Sequence, residues 1–155
     1  MTVRDVITGF ASAAALYEVF QIGDRFARAI MPAGEEEIQS IYALRTSAPK
    51  PLIALLLLTV IGPGEELFWR GLIQEALMRR LGRLKGTTGA AAAYGATHLV
   101  TGNLTLTGAA GVAGAYWGAQ YAVQRRLAPV LVSHILWDVW IFLLAPTRTG
   151  RNKAD

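Results

Sequence analysis

Residues 51–78 read PLIALLLLTVIGPGEELFWRGLIQEALM. A helix needs about 20 predominantly apolar residues to cross a bilayer, and this stretch is long enough to do so. It nevertheless carries three ionisable residues near its middle, Glu65, Glu66 and Arg70. An ionisable side chain inside a membrane costs about 2.5–3.5 kcal/mol on insertion scales. We therefore predict a membrane-spanning helix whose charged residues have a function.

Further apolar segments lie on both sides of this stretch. They cover residues 6–23, 87–101, 104–124 and 128–145. We predict an all-α fold, a multi-pass transmembrane helical bundle of four to five spans. The segment 6–23 carries Glu18 and is either the fifth span or an interfacial helix.

The chain divides into three parts. Residues 1–49 are predicted to hold the N-terminal helix and a polar loop, because residues 24–50 are polar and mixed in charge. That polar segment is either a long loop or an amphipathic surface segment. Residues 50–145 form the predicted membrane core, and residues 146–155 form a basic C-terminal tail.

The composition excludes several classes of protein. The chain has 155 residues, 53% of them hydrophobic and 17% charged, and its mean hydropathy is +0.35. These values exclude intrinsic disorder and leave too little polar material to cover a soluble globule. The absence of cysteine excludes thiolate nucleophiles and thiolate metal sites. We expect a multi-pass integral protein of the cell membrane.

The net charge of +4 does not indicate a nucleic-acid partner, because the basic residues flank apolar segments as the positive-inside bias produces. The clusters are Arg79, Arg80, Arg83 and Lys85; Arg125 and Arg126; and Arg148, Arg151 and Lys153. We expect the lipid bilayer as a partner and no nucleic acid. If the first two clusters face the cytoplasm, a last span places the third on the opposite side, so the topology stays open.

Polar side chains in the apolar segments form three pairs, each four residues apart on one helix face. The pairs are Glu66 and Arg70, Tyr94 and His98, and His134 and Asp138. The chain has two histidines, and both belong to these pairs. Each pair alone is as typical of structural pairing as of catalysis.

Glu65 has no cation of its own, because Arg70 at helical spacing serves Glu66. The GPG sequence at residues 62–64 predicts an interruption of the helix directly before it. A new helix starting there would hold both glutamates in its first turn, where the helix dipole stabilises carboxylates. A carboxylate in a partly dry site suits a general base, and the two histidines would be oxyanion donors or metal ligands.

Two further observations limit the chemistry and the packing. The chain has no HExxH and no GxSxG sequence, and Ser133 lies beside His134 in sequence rather than opposite it, which disfavours a serine nucleophile. Small residues recur every four positions in residues 104–124 and predict close approach of a neighbouring helix. They are Ala110, Gly114, Gly118 and Ala122.

Three motifs resemble those of a known family. Residues 65–70, EELFWR, match the EExxxR motif of the CPBP family (CAAX proteases and bacteriocin-processing enzymes, also called Abi), which includes the type II CAAX prenyl endopeptidases. Residues 94–98, YGATH, resemble its FxxxH motif, and residues 134–138, HILWD, resemble its HxxxN or HxxxD motif. The motifs occur in order on three apolar segments, and the resemblance covers residues 50–145.

The resemblance implies an intramembrane endopeptidase that hydrolyses peptide bonds of membrane-associated peptides or proteins. The residues that match its site are Glu65, Glu66, Arg70, His98, His134 and Asp138, with Tyr94 in a supporting position. Glu65, assisted by His98, resembles the general base that activates water. His134 and Asp138 resemble the polar pair facing the scissile carbonyl oxygen, and Arg70 resembles the structural partner of Glu66.

Two residues depart from the family pattern. Tyr94 replaces a phenylalanine and adds a hydroxyl that needs a partner when buried. An ionised Asp138 can only accept hydrogen bonds, so it is protonated, or orients His134 through one nitrogen, or serves a metal. The family's older description as metalloproteases implies Glu65, His98 and His134 as ligands of a divalent ion such as Zn²⁺, with a fourth position for water. Metal-free and metal-dependent catalysis both stay open.

Two other functions compete with the endopeptidase. The first is a non-catalytic membrane scaffold or bacteriocin-immunity factor that retains the motif, which Asp138 and the short N-terminal part favour. The second is a small transporter or proton relay using the same buried groups. The variant Glu65→Gln separates them, because it abolishes proteolysis and leaves a scaffold's effect in place.

Overall fold

The apolar stretch of residues 51–78 lies within one long helix, the third of the chain. A computed structural model describes residues 1–146, and within them the chain is helical without a β-strand. The helices are α1 (Val3–Ile30), α2 (Gly34–Ala43), α3 (Lys50–Leu81), α4 (Arg83–Thr97), α5 (Leu104–Gln124) and α6 (Leu127–Leu144). The predicted all-α fold is confirmed.

The interruption predicted at residues 62–64 is wrong, because α3 continues through Pro63. The helix is π-helical over Leu57–Ile61 and again over Leu67–Gln74. The backbone N–H of Gly62 bonds to the carbonyl of Leu57, and such local π turns re-satisfy backbone groups that a proline in a membrane helix frees. Glu65 and Glu66 therefore lie in the middle of a helix, without the helix terminus that was expected to stabilise them.

Two connections and the start of α1 meet at one end of the bundle, which we call the basic end. The α3–α4 turn is at Gly82 (φ 81°), and the α5–α6 turn is at Arg125 (φ 53°). Glu75 of α3 accepts two bonds from Arg125, at 2.9 and 2.8 Å, and Asp5 of α1 accepts one from Arg126 at 2.8 Å. The first two basic clusters thus share one end, as their predicted common side requires.

The third basic cluster, Arg148, Arg151 and Lys153, lies in the predicted C-terminal tail of residues 146–155. All three residues are outside the described range of 1–146. The side of the membrane that they occupy therefore stays a prediction.

The predicted polar loop contains a helix, α2, at the end opposite the basic end. Its Glu37 carboxylate accepts hydrogen bonds from the backbone N–H of Leu104 (3.1 Å), and from the N–H (2.9 Å) and hydroxyl (2.6 Å) of Thr105. These bonds satisfy free N–H groups at the start of α5. The hydrogen bonds from Thr105 hold the pKa of Glu37 below its usual range. Of the two alternatives for this segment, a surface helix replaces a long loop.

Three helices of residues 1–146 are long and apolar enough to cross a membrane: Val3–Ile30, Lys50–Leu81 and Leu127–Leu144. The N-terminal segment is therefore a candidate span. The helices α4 and α5 are not among the three, so their crossing of the bilayer, and a count of four to five spans, stay predictions.

The predicted close packing along α5 is confirmed. All four small residues of the stripe are buried. A Cβ added at Gly114 would lie 2.8 Å from Cδ1 of Tyr94, and one added at Gly118 would lie 3.3 Å from Oε1 of Gln74. The stripe thus brings α5 against α3 and α4, which carry the first two motifs.

Candidate active site

Glu66 and Arg70 form a buried ion pair at the centre of the bundle. Arg70 Nη1 donates to Glu66 Oε1 at 2.8 Å, and the exposed fractions of the two side chains are 2% and 0%. The guanidinium also lies over the rings of Tyr94 and Trp117, at 5.1 and 5.6 Å from their centroids. The structure therefore places Arg70 beside Glu66, as the one-turn spacing predicts.

His134 of α6 joins this pair from across the bundle. Its Nδ1 lies 2.7 Å from Glu66 Oε1, and its Nε2 lies 3.3 Å from Asp138 Oδ2 and 4.0 Å from Glu65 Oε2. Asp138 thus faces one nitrogen of His134, while the other nitrogen is held by Glu66 rather than left free. Carboxylates face both ring nitrogens, so Nε2 is the nitrogen on the side of Glu65.

Glu65 is the accessible carboxylate of the motif. Its side chain is 33% exposed, whereas that of Glu66 is fully buried. The hydroxyl of Tyr94 donates to Glu65 Oε2 at 2.7 Å. The hydroxyl that distinguishes this chain from the FxxxH motif therefore has a partner, and it stabilises the carboxylate that lacks a cation on its own helix.

His98 lies at the end of α4, where the chain turns into a short 3₁₀ segment, His98–Thr101. Its Nδ1 is 3.0 Å from the carbonyl oxygen of Tyr94. A carbonyl can only accept, so Nδ1 carries the proton, and the neutral ring keeps its lone pair on Nε2. The ring also contacts that of Tyr94 edge-on, with centroids 5.2 Å apart.

These side chains line one cavity of about 610 Å³. The polar site residues on its wall are Glu65, Tyr94, His98, His134 and Asp138. Most of the remaining wall is aliphatic or aromatic and comes from α1, α2, α3, α5 and α6. The cavity therefore offers an apolar channel with convergent polar groups, the usual form of a small binding site.

Sequence reasoning missed Trp117 and Ser133 as parts of the site. The indole of Trp117 stacks on the imidazole of His134, with centroids 3.9 Å apart and planes at 21°. Its Nε1 donates to Ser133 Oγ at 3.1 Å. A tryptophan beside a stripe of small residues was the available signal, because close packing of α5 leaves such a ring room only between helices.

The three predicted metal ligands, Glu65, His98 and His134, do not form a ligand set. Within residues 1–146 no three His, Cys, Asp or Glu side chains are grouped so that they could hold a metal ion. Each nitrogen of His134 faces a carboxylate oxygen. This arrangement does not fit a bound Zn²⁺, and metal dependence stays a hypothesis for direct test.

Comparison with known families gives one match. A family model described as "Rce1-like: Type II CAAX prenyl endopeptidase Rce1-like" matches residues 47–140, more than half of the chain. All seven predicted site residues fall inside this range, and α1 and α2 fall outside it. The resemblance drawn from the three motifs is thereby confirmed. Neither the curated proteins nor the solved structures gave a match to this chain.

Proposed function

Because this chain belongs to the Rce1-like family of type II CAAX prenyl endopeptidases, we propose that it is an intramembrane endopeptidase in which Glu65 activates water. The observation that carries this assignment is the setting of Glu65, a carboxylate that is 33% exposed on the wall of a cavity of about 610 Å³. Its substrates are membrane-associated peptides or proteins, and it acts in the cell membrane.

The first step is proton abstraction from water. Tyr94 donates to Oε2 of Glu65, which leaves Oε1 to accept a proton as the water oxygen bonds to the scissile carbonyl carbon. His98, with its lone pair on Nε2, accepts a hydrogen bond from the same water. A positioned general base of this kind contributes about 10²–10⁴-fold to the rate.

The second requirement is a donor for the carbonyl oxygen as it becomes an oxyanion. His134, protonated at both nitrogens between Glu66 and Asp138, donates from Nε2. Its positive charge offsets part of the charge of the three carboxylates around it. Stabilisation of the oxyanion is usually the largest electrostatic contribution to such a reaction.

The reaction ends when the C–N bond of the tetrahedral intermediate breaks. Glu65, now a carboxylic acid, returns its proton to the leaving nitrogen and becomes a carboxylate again. Glu66 and Arg70 take no part in proton transfer, because both are buried behind His134. In this proposal they hold that ring in place.

The apolar wall of the cavity suits substrates that present an apolar segment at the scissile bond. Burial of apolar surface contributes about 25 cal/mol per Å², so such a segment binds through its side chains. An isoprenoid group on the substrate would add area of the same kind. Prenylated and unmodified peptides are therefore both candidates.

The test is a proteolysis assay on protein purified in detergent. Wild type, Glu65→Gln and the control Glu36→Gln, which changes an exposed carboxylate of α2, are incubated with prenylated and unmodified membrane-proximal peptides. New termini are read by mass spectrometry. We expect cleavage by wild type and Glu36→Gln, and a loss of at least about 10²-fold in Glu65→Gln. Full cleavage by Glu65→Gln, or none by wild type, contradicts the proposal and favours the scaffold.

A further inference from the structure

Helix α1 lies outside the residues matched by the family, 47–140, yet a chain of hydrogen bonds connects it to the active site. Trp117 Nε1 donates to Ser133 Oγ at 3.1 Å, and Ser133 Oγ donates to Ser12 Oγ of α1 at 3.0 Å. Ser12 Oγ in turn donates to Gln120 Oε1 at 2.7 Å. Each hydroxyl accepts one bond and donates the next, so the chain has a single direction from the indole to an acceptor.

We propose that Trp117 is a positioning residue that fixes the ring plane of His134, and that Ser133 and Ser12 fix Trp117. The first helix is then part of the active site through Ser12. This inference extends the proposed function, because it assigns the support of the ring that is to donate to the oxyanion.

The geometry explains why His134 needs this support. Its contacts with Glu66 and Asp138 are made through the two nitrogens and fix where those atoms lie. They leave the ring free to tilt about the line that joins them. An indole stacked 3.9 Å away at 21° removes that freedom, so the Nε2–H direction is set by Trp117.

Trp117 is itself held on several sides. It is 1% exposed and packs in a core cluster with Leu16, Ala113 and Val130. Apolar packing alone would accept a phenylalanine or leucine here. The buried Ser133, which is fully shielded from solvent, serves only the indole N–H and Ser12, so its hydroxyl orients the indole ring within the cluster.

The decisive measurement is nuclear magnetic resonance of the imidazole rings in ¹³C,¹⁵N-histidine-labelled protein. The chain has two histidines, so His98→Gln assigns the remaining signal to His134. We expect Ser133→Ala and Trp117→Leu to move the His134 ring signals away from the values produced by stacking, and to leave those of His98 in place. Trp140→Phe, at a half-exposed position, is the matched control for the indole.

A second set of variants tests the order of the chain. Ser12→Ala moves the His134 signals in the same direction as Ser133→Ala. The double variant moves them no further than Ser133→Ala alone, because Ser12 acts through Ser133. Residues linked in this way are non-additive, whereas independent sites add. Thr87→Ala, which removes a hydroxyl that bonds to Gln74 instead, is the control and leaves the His134 signals unchanged.

Kinetics give an independent readout. Ser133 does not line the cavity, so Ser133→Ala lowers kcat, by up to about 10²-fold, while KM stays at its wild-type value. Unchanged His134 signals in Ser133→Ala and Trp117→Leu, with helix content retained, would overturn the inference. If Trp117→Leu does not fold, Trp117→Phe keeps a ring and removes only the N–H, and carries the same expectation. A wild type that cleaves no peptide contradicts the proposed function, and the resonance experiment still decides the inference.

Discussion

The buried ion pair of Glu66 and Arg70 permits a sharp test, because the same helix carries a second glutamate–arginine pair at the same spacing. Glu66 and Arg70 lie 2.8 Å apart with side chains 0% and 2% exposed. Glu75 and Arg79 lie 3.1 Å apart with side chains 17% and 77% exposed. The two pairs share chemistry, spacing and helix, and they differ in burial.

We expect Arg70→Met to lower the free energy of unfolding by about 3–5 kcal/mol, the usual result when one partner of a buried pair is removed. The variant keeps most of the side-chain volume and leaves the Glu66 carboxylate without its cation. Arg79→Met should cost no more than about 1 kcal/mol, because exposed pairs contribute little. Both values come from unfolding in mild-detergent micelles titrated with dodecyl sulfate and followed by circular dichroism.

A double variant separates the orphaned charge from the lost contacts. Glu66→Gln combined with Arg70→Met removes both charges and keeps a side chain that can hydrogen-bond His134. It should be more stable than Arg70→Met alone, since an unpaired buried charge is the main source of the loss. The reasoning is refuted if Arg70→Met falls within about 1 kcal/mol of Arg79→Met.

Three further expectations follow from particular contacts. Gly114→Ala places a Cβ 2.8 Å from the Tyr94 ring and should lower the unfolding free energy by about 1–3 kcal/mol, whereas Gly108→Ala, with open space around it, should be neutral or stabilising by up to about 1 kcal/mol; the same micelle titration measures both. The bonds from Thr105 lower the pKa of Glu37 from 4.5, so the α2–α5 contact is intact above pH 4.5 and weakens as the pH falls through the lowered pKa. Hydrogen exchange at the Thr105 amide should therefore accelerate on acidification in wild type and show no such step in Glu37→Gln. A zinc chelator such as phenanthroline should leave cleavage unchanged, and a loss that Zn²⁺ restores would establish metal dependence instead.

The helices and the local pairs of this protein follow from the sequence because they depend on short-range geometry. Apolar segments of sufficient length predict the long helices, and a spacing of four residues predicts that Glu66 meets Arg70. The prediction failed at residues 62–64, where composition indicated a break. The π turns beside Pro63 depend on how the whole helix is packed, so local rules could not supply them.

The sequence by itself determined the all-α membrane class, the family and the residues that carry charge inside the apolar segments. Only the tertiary structure decided which of them meet: that Glu66 lies between Arg70 and His134, and that Tyr94 holds Glu65. It also brought Trp117 onto His134. Contacts within a helix are set by its 3.6-residue repeat. Contacts between helices depend on their relative rotation and offset, which are settled by packing over the whole bundle.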